Sequence, residues 1–380
     1  MIYFDNAATT MLKPPEVAQA VAAAINSFGG VGRATHDAAL GADMTVYRAR
    51  RQVAKLFGAP DPKRVVFTHN VTEALNIIIT GLVGSGDHAV TTAASHNSVL
   101  RPLFRATDKL GAQASVLAVD TQARIDYEEF DSLFRSNTRL AIVTHASNLT
   151  GDVYDIARMA SITHAHGALF AVDAAQSAGV IDIDMVRDSL DIVAFTGHKS
   201  LYGPQGTGGL VLAPHVDLPS YNEGGTGTHS YERRQPEFYP EHLEAGTLNA
   251  HGIAGLLEGL NYIEKTGVTA IHGKLRGLVA RLEAGAGTIH SIRIYGGHGG
   301  IDRCGVVALN VGNVPSAEVA DILSNEYGIC TRAGAHCAPL MHEALGTSDQ
   351  GAVRMSFGSF NTETEVDAAL EALAEIAGRV

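Results

Sequence analysis

The sequence predicts an α/β fold with a mostly parallel central sheet, followed by a smaller α+β unit. From about residue 60 to 215, short apolar runs alternate with segments of helix length, a pattern typical of βαβ units. The chain has 380 residues, which is long enough for two domains. Its C-terminal part mixes strands and helices without this regular alternation, which favours a second unit of a different architecture.

We expect seven strands in the central sheet, each of them an apolar run. They are residues 64–68, 89–93, 115–119, 140–145, 169–173, 192–196 and 209–212. Helices between them are expected at residues 72–82, 98–110, 127–134 and 156–165. Because sheets of this kind bind ligands at the carboxyl ends of their strands, the functional site is expected at that edge.

Residues 214–249 interrupt the alternation with a segment rich in Gly, Pro and Tyr. It is too long for an ordinary connection and therefore predicts a functional loop. A helical region at 251–285, interrupted near Gly267, follows it. The C-terminal strands are expected at 292–295, 306–311, 329–332 and 353–357, and its helices at 317–327, 338–345 and 363–377. We expect a large domain at residues 12–249 and a small one at 250–380, with residues 1–11 packing near the small one.

Composition excludes several classes of partner. With 28 Lys and Arg against 40 Asp and Glu, the net charge is −12, which argues against nucleic acid and anionic membranes as main partners. No apolar run is long enough to cross a membrane. Asp5 and Asn6 lie where a signal peptide needs basic and then apolar residues. The three cysteines form no CxxC and cannot all pair, so we expect free thiols and a cytoplasmic location.

The segment FTGHKSLYGPQGTGGL, residues 195–210, contains the first candidate catalytic group. Lys199 follows a strongly apolar strand, and burial lowers the pKa of an amine. A lysine with a lowered pKa can act as a nucleophile or form a Schiff base. The alternative, a surface lysine in a Gly-rich turn, stays open on this segment alone.

Asp173 ends the apolar strand of FAVDAAQSAG, residues 170–179. A buried carboxylate is costly without a partner, and a protonated pyridine nitrogen would suit it. An N-cap or an ion pair with an arginine is the alternative. Gln176 follows three residues later and either faces the same site or the solvent.

Two further segments have candidate functions. VTEALN, residues 71–76, begins a helix whose free N–H groups suit a phosphate, although an ordinary cap is the alternative. In TRAGAHCAPLMH, residues 331–342, Cys337 follows a histidine and precedes a predicted helix. Both neighbours lower the pKa of a thiol, whereas Cys304 and Cys330 fit buried structural thiols. The 17 histidines include no HExxH, and no phosphate-binding loop is present, so neither a metal nor a nucleotide is expected.

Taken in order, these segments carry the motifs of one family. They are NAATT, TEALN, His96-Asn97, the SN–G of residues 147–151, VDAAQ, TGHK, EAGT, RAGAHC and a late arginine. The sequence resembles the cysteine desulfurase branch of the class V aminotransferases, which are fold type I pyridoxal 5'-phosphate enzymes. The resemblance extends from Tyr3 to Thr362, so it covers nearly the whole chain.

The resemblance implies a role for each matching residue. Lys199 would form the Schiff base, and Asp173 would pair with the pyridinium nitrogen. Gln176 would bond the phenolic oxygen, and His96 would stack on the ring and relay protons. The residues implied near the phosphate are Val71, Thr72, Thr196 and His198, with Thr247 supplied by the partner subunit of a homodimer. The residues implied for the substrate are Asn148 and Arg354 at its carboxylate and Arg33 and Arg332 at the mouth of the site.

The activity implied is removal of sulfur from L-cysteine, which gives L-alanine and a persulfide on Cys337 for transfer to an acceptor protein. The form RAGAHCAPL resembles group II desulfurases and selenocysteine lyases. Release of selenium from L-selenocysteine is therefore an alternative. Another class V reaction that needs no protein thiol, or a protein without enzymatic activity, remains a further alternative.

Overall fold

The computed structural model describes residues 1–32, 34–297 and 301–379. Its central sheet has seven strands, as predicted. They are β2 (Val65–Thr68), β3 (His88–Thr92), β4 (Gln113–Leu117), β5 (Thr138–Thr144), β6 (Leu169–Asp173), β7 (Ile192–Thr196) and β8 (Gly208–Leu212). Their order is β2-β8-β7-β6-β5-β3-β4, and only β8 runs antiparallel to its neighbours. The mostly parallel sheet is therefore confirmed.

The register of the strands brings their polar end residues to one edge. Thr144 at the end of β5 pairs with Asp173 at the end of β6, and Asp173 pairs with Ala194 of β7. Thr196, which ends β7, pairs with Gly208, and Gly208 pairs with Thr68 at the end of β2. Because β5, β6 and β7 are almost wholly buried, the residues that follow them form the floor of any site at this edge.

Helices cover the sheet. Those that the alternation predicted are α3 (Val71–Leu82), α4 (Asn97–Leu110), α5 (Tyr127–Ser132) and α6 (Ile156–Ala165). Two more, α1 (Pro15–Ser27) and α2 (Asp37–Leu56), lie before the region in which the alternation is visible. The buried face of α2 consists mostly of alanines and also includes Val46 and Val53. Because alanine is only weakly hydrophobic, such a face gives a weak helical periodicity in the sequence. Both helices pack against α7 (Ala250–Thr266).

The C-terminal part has its own antiparallel sheet, in the order β12-β13-β10-β9. Its strands are β9 (Ile292–Tyr295), β10 (Val306–Val311), β12 (Arg332–Gly334) and β13 (Ala352–Ser356). Its helices are α8 (Val268–Ala286), α9 (Ser316–Tyr327), α10 (Pro339–Leu345) and α11 (Glu363–Ala377). The strand expected at 329–332 is divided, since β11 (Ile329–Cys330) pairs instead with β1 (Ile2–Tyr3).

The N-terminal segment therefore lies against the C-terminal part at β1. The division into domains at residue 250 stays a prediction. Because α7 packs on α1 and α2 while α8 packs on α11, the packing favours a boundary at Gly267, where the two helices meet.

Residues 214–249 contain no helix or strand, but the segment is anchored. Glu244 forms a buried ion pair with Arg50 of α2 and accepts the N–H of Phe67 at 2.6 Å. The guanidinium of Arg64 lies 3.9 Å from the centre of the Tyr239 ring. No described helix is long and apolar enough to span a membrane. Within the same residues, no group of three His, Cys, Asp or Glu side chains is arranged to hold a metal ion.

Candidate active site

A cavity of about 290 Å³ opens at the carboxyl edge of the central sheet. Nine of the residues singled out in the sequence line it: Val71, Thr72, His96, Asn148, Asp173, Gln176, Thr196, His198 and Lys199. Arg354 does not line the cavity itself, but its Nη1 donates at 3.0 Å to the carbonyl of Asn148, which does. Arg33 lies outside the described residues. The lining also includes Asn70, Ser98 and Thr144, which the motifs did not single out.

Asp173 and Lys199 both line this cavity. Asp173 ends β6, and Lys199 lies three residues beyond the end of the neighbouring strand β7. Burial lowers the pKa of Lys199 to about 8, and the negative charge of Asp173 opposes the change. The positive charges of Arg354 and Arg332 lower this pKa further. The amine is thus partly neutral near pH 8, which is the state that a nucleophile or a base requires.

The Asp173 carboxylate is buried, with 3% of the residue exposed. One of its oxygens accepts the N–H of Ala175 at 3.0 Å. Burial raises the pKa of Asp173, while the charge of Lys199 lowers it. A cation beside this carboxylate would hold it ionised, as the sequence argument required. Gln176 lies one turn further on, and its Nε2 donates to the carbonyl of Ala7 at 3.0 Å.

A chain of short polar side chains joins α3 to α4 along one wall. The hydroxyl of Thr72 lies 2.8 Å from that of Ser98, which lies 2.9 Å from Nδ1 of His96. Nδ1 of His96 also accepts the N–H of Ser98 at 3.0 Å. Burial lowers the pKa of His96 to about 4, so the ring is neutral at pH 7 and carries its proton on Nε2. Ser98 therefore orients both His96 and Thr72.

His198 is held by the N-terminal segment, a contact that the motifs did not predict. Its Nδ1 lies 3.1 Å from the hydroxyl of Thr9, and its carbonyl accepts from Thr9, Thr10 and Lys13. Thr10 also donates to the carbonyl of Lys199 at 3.1 Å. Burial lowers the pKa of His198 to about 4, so this ring is neutral too. The segment thus braces the turn that carries the lysine.

Arg354 lies in the middle of β13 and is 1% exposed. Its Nη2 donates to Oδ1 of Asp5 at 2.8 Å. Asp5, which the motifs did not single out, thus pairs with an arginine next to the cavity. The available signal was an acidic side chain within the motif YFDNAATT. Arg332 pairs with Arg354 across β12 and β13 and does not line the cavity.

Cys337 is half-buried in the turn between β12 and α10. Its carbonyl accepts the N–H of Asn97, the first residue of α4, at 2.9 Å. Burial lowers the pKa of the preceding His336 to about 3, so the imidazole is neutral and adds no positive charge beside the thiol, contrary to the expectation from the sequence. Burial raises the pKa of Cys304 to about 12, which fits a structural thiol.

Thr247 is exposed and does not line the Lys199 cavity of its own chain. It lines a separate surface depression with His69 and Glu73. Its implied contact with the phosphate bound by a second subunit stays a prediction.

The residues of the cavity fit pyridoxal phosphate. Among the described residues, the buried hydroxyls of Thr144 and Thr196 and the Oδ1 of Asn148 have no hydrogen-bond partner. Two of these residues, Thr196 and Asn148, were predicted from the sequence to lie in the site. The N-terminus of α3 provides free N–H groups at the same wall. Together with one amine and one buried carboxylate, these groups match a ligand that has a phosphate, an aldehyde and a basic ring nitrogen.

Comparison with known proteins agrees with this geometry. The family model described as Aminotransferase class-V matches residues 2–369. A probable cysteine desulfurase of Methanothermobacter thermautotrophicus is 34% identical over 384 residues, which cover 99% of this chain and 95% of that protein. The apo structure of cysteine desulfurase from Thermococcus onnurineus NA1 superposes with a TM-score of 0.90 at 31% identity and covers 100% of this chain and 95% of that one. The cysteine desulfurase CsdA of Escherichia coli superposes with a TM-score of 0.89 at 29% identity and the same coverage. The chain therefore belongs to the class V aminotransferase family of pyridoxal phosphate-dependent enzymes.

Proposed function

We propose that the protein is a cysteine desulfurase that takes sulfur from L-cysteine, leaves L-alanine and holds the sulfur as a persulfide on Cys337. The observation that carries this proposal is a hydrogen bond between the Cys337 turn and a residue that lines the cavity. Asn148 lines the cavity and also donates to the carbonyl of His336, the residue before Cys337, at 2.7 Å. A related enzyme that used only the lysine would need no thiol at this place. The names of the relatives support the same reaction.

The first group of residues would bind the cofactor and take the α proton of the substrate. Pyridoxal phosphate, when bound, supplies a ring that withdraws electrons from the substrate. Lys199, with its lowered pKa, would hold the cofactor and take the α proton of cysteine. Asp173 would keep the ring nitrogen protonated. Val71, Thr72, Thr196 and His198 would surround the phosphate, and Gln176 would bond the phenolic oxygen.

The remaining residues of the site would bind the substrate and transfer its sulfur. Arg354 and Asn148 would hold the substrate carboxylate, with Arg332 and Arg33 at the mouth. The Cys337 thiolate would attack the substrate sulfur, so that an S–S bond forms as the Cβ–Sγ bond breaks. The electron pair of the broken bond stays on carbon, which takes up a proton to become the methyl group of alanine. His96, which lines the cavity with its proton on Nε2, would relay protons. An acceptor protein would then take the persulfide sulfur.

The proposal includes a homodimer in which Thr247 of one subunit contacts the cofactor phosphate of the other. The exposed position of Thr247, away from the cavity of its own chain, supports this arrangement. Light scattering during gel filtration would measure the assembly, and a monomer that turns over cysteine would contradict it. The cytoplasmic location stays a prediction.

The test is Cys337→Ala, with Cys330→Ala as the matched control. Cys330 is another half-buried thiol, so its replacement makes the same chemical change outside the site. We expect Cys337→Ala to abolish alanine and sulfide formation from L-cysteine while the bound cofactor still absorbs above 400 nm. The control should retain both. Cysteine turnover at the wild-type rate in Cys337→Ala would contradict the proposal.

The same variants separate cysteine from selenocysteine. Selenide is a better leaving group, so its release needs less help from a thiol. If Cys337→Ala keeps selenium release from L-selenocysteine and loses sulfur release from L-cysteine, the protein is a selenocysteine lyase as well. The ratio of kcat/KM for the two substrates, with and without a candidate acceptor, measures the preference.

A further inference from the structure

The turn that carries Cys337 has an unusual backbone conformation. His336 has a φ of 50° and Cys337 a φ of 56°, in the left-handed region that residues with a side chain rarely adopt. Each such residue costs about 1 kcal/mol or more, and the conformation persists only where surrounding contacts impose it. Two in succession therefore require support from outside the turn.

Asn148 supplies one of these supports from a distant part of the chain. Its Nδ2 donates to the carbonyl of His336 at 2.7 Å, a buried bond between residues 188 apart in sequence. The backbone N–H of Asn97 holds the next carbonyl, that of Cys337, at 2.9 Å. Nε2 of His336 donates to the carbonyl of Arg332 at 3.2 Å, and its ring stacks on that of His342. Both left-handed residues are thus fixed by their carbonyls.

Asn148 is itself fixed. It follows β5, is 6% exposed, and its carbonyl accepts from Nη1 of Arg354 at 3.0 Å. Arg354 in turn donates to Asp5. Asn148 therefore has a defined position with respect to both Arg354 and the Cys337 turn.

The same amide faces the substrate cavity. Asn148 lines the cavity, and its Oδ1 has no partner among the described residues. An amide nitrogen carries two N–H groups, and His336 occupies one of them. A ligand in the cavity can thus contact Asn148 without breaking its bond to the turn.

We propose that Asn148 is a positioning residue for Cys337, because its bond to the His336 carbonyl holds the thiol in register with the substrate. The proposal rests on the proposed function for the role of Cys337 as nucleophile. Its physical content is that one side chain contacts both the bound substrate and the turn that carries the thiol. Loss of the amide donor should release the turn without emptying the cavity.

The test measures the reactivity of the thiol itself. Full-length protein loaded with pyridoxal phosphate is treated with iodoacetamide, and alkylation of Cys337 and Cys330 is followed by mass spectrometry of their peptides. In Asn148→Ala, we expect the rate at Cys337 to rise about fivefold, equivalent to about 1 kcal/mol for one hydrogen bond. The rate at Cys330, in the same sample, should not change. Asn325→Ala, which alters an exposed asparagine of α9, should change neither rate.

Two results would overturn the proposal. One is a Cys337 rate in Asn148→Ala that equals the wild-type rate. The other is an equal rise at both cysteines with a lower midpoint of thermal unfolding, which would indicate a general structural role. If Asn148→Ala does not fold, Asn148→Leu keeps nearly the same shape, has no donor and gives the same comparison. Failure here is distinct from failure of the proposed function, because alkylation needs no turnover and the Cys337→Ala test needs no Asn148 variant.

Discussion

The amine of Lys199 should titrate more than two pH units below an ordinary lysine. Burial lowers its pKa to about 8, from the usual 10.5. Neighbouring charges modify the effect of burial, since Asp173 raises this pKa and Arg354 and Arg332 lower it. The prediction is therefore a titration midpoint near pH 8 in the cofactor-free protein, with a definite direction of change when each charge is removed.

The size of the effect follows from the two pKa values. At pH 7 about a tenth of the Lys199 amines would be neutral, against about 0.03% for an ordinary lysine, a ratio of about 300. At pH 8 about half would be neutral, and above pH 9 nearly all of them. Because only the neutral amine attacks an aldehyde or an anhydride, the rate of modification follows this fraction.

The assay is trace acetylation of the cofactor-free protein between pH 6 and 11, with peptide mass spectrometry. Lys265, an exposed lysine of α7, is the reference in every sample. Asp173→Asn should move the Lys199 midpoint to lower pH, because the negative charge that raises the pKa is gone. Arg332→Gln should move it to higher pH. A midpoint near 10.5, or a shift of both variants in the same direction, would refute the reasoning.

Three further predictions concern other residues. Asp5→Ala should lower the free energy of unfolding, measured in urea, by about 2 kcal/mol, because Arg354 is left buried without its carboxylate. Asp5→Asn keeps an acceptor and should lower this free energy less. Equal decreases in the two variants would contradict the prediction. Burial raises the pKa of Cys304 to about 12, so the thiol should resist iodoacetamide at pH 9 in the native protein. Labelling of Cys304 before unfolding would contradict this. Thr362→Ala removes the capping box of α11 and should cost about 1 kcal/mol of stability with cysteine turnover unchanged; altered turnover would argue against a purely local effect.

Much of the fold was predictable because it depends on short-range patterns. The strands of the central sheet are apolar runs with clear ends, and the predicted segments fall within a few residues of the observed ones. The division of the strand expected at 329–332 was not predictable. Cys330 pairs with Tyr3 at the other end of the chain, while Arg332 pairs with Arg354, and no local pattern records which partner a residue takes.

The residues that line the cavity were predictable to a similar extent. Lys199 and Asp173 stand out because a charged side chain at or just after the end of a buried strand is costly unless it has a partner or a function. Ser98 and Thr144 do not, since a hydroxyl at a helix or strand end is common. Only the alignment of β5, β6 and β7 and the contact between α3 and α4 bring these hydroxyls to the cavity.

The amino-acid pattern was enough to predict the α/β class, the sheet edge at which the candidate site lies and the types of residue expected to line it. The reason is that hydrophobic periodicity and residue type are local properties, which can be read directly from the sequence. Only the folded structure shows that Asp5 accepts from Arg354 and that Asn148 donates to the carbonyl of His336, beside Cys337. These contacts join residues 349 and 188 positions apart, so they exist only once the two sheets and the N-terminal segment have packed together.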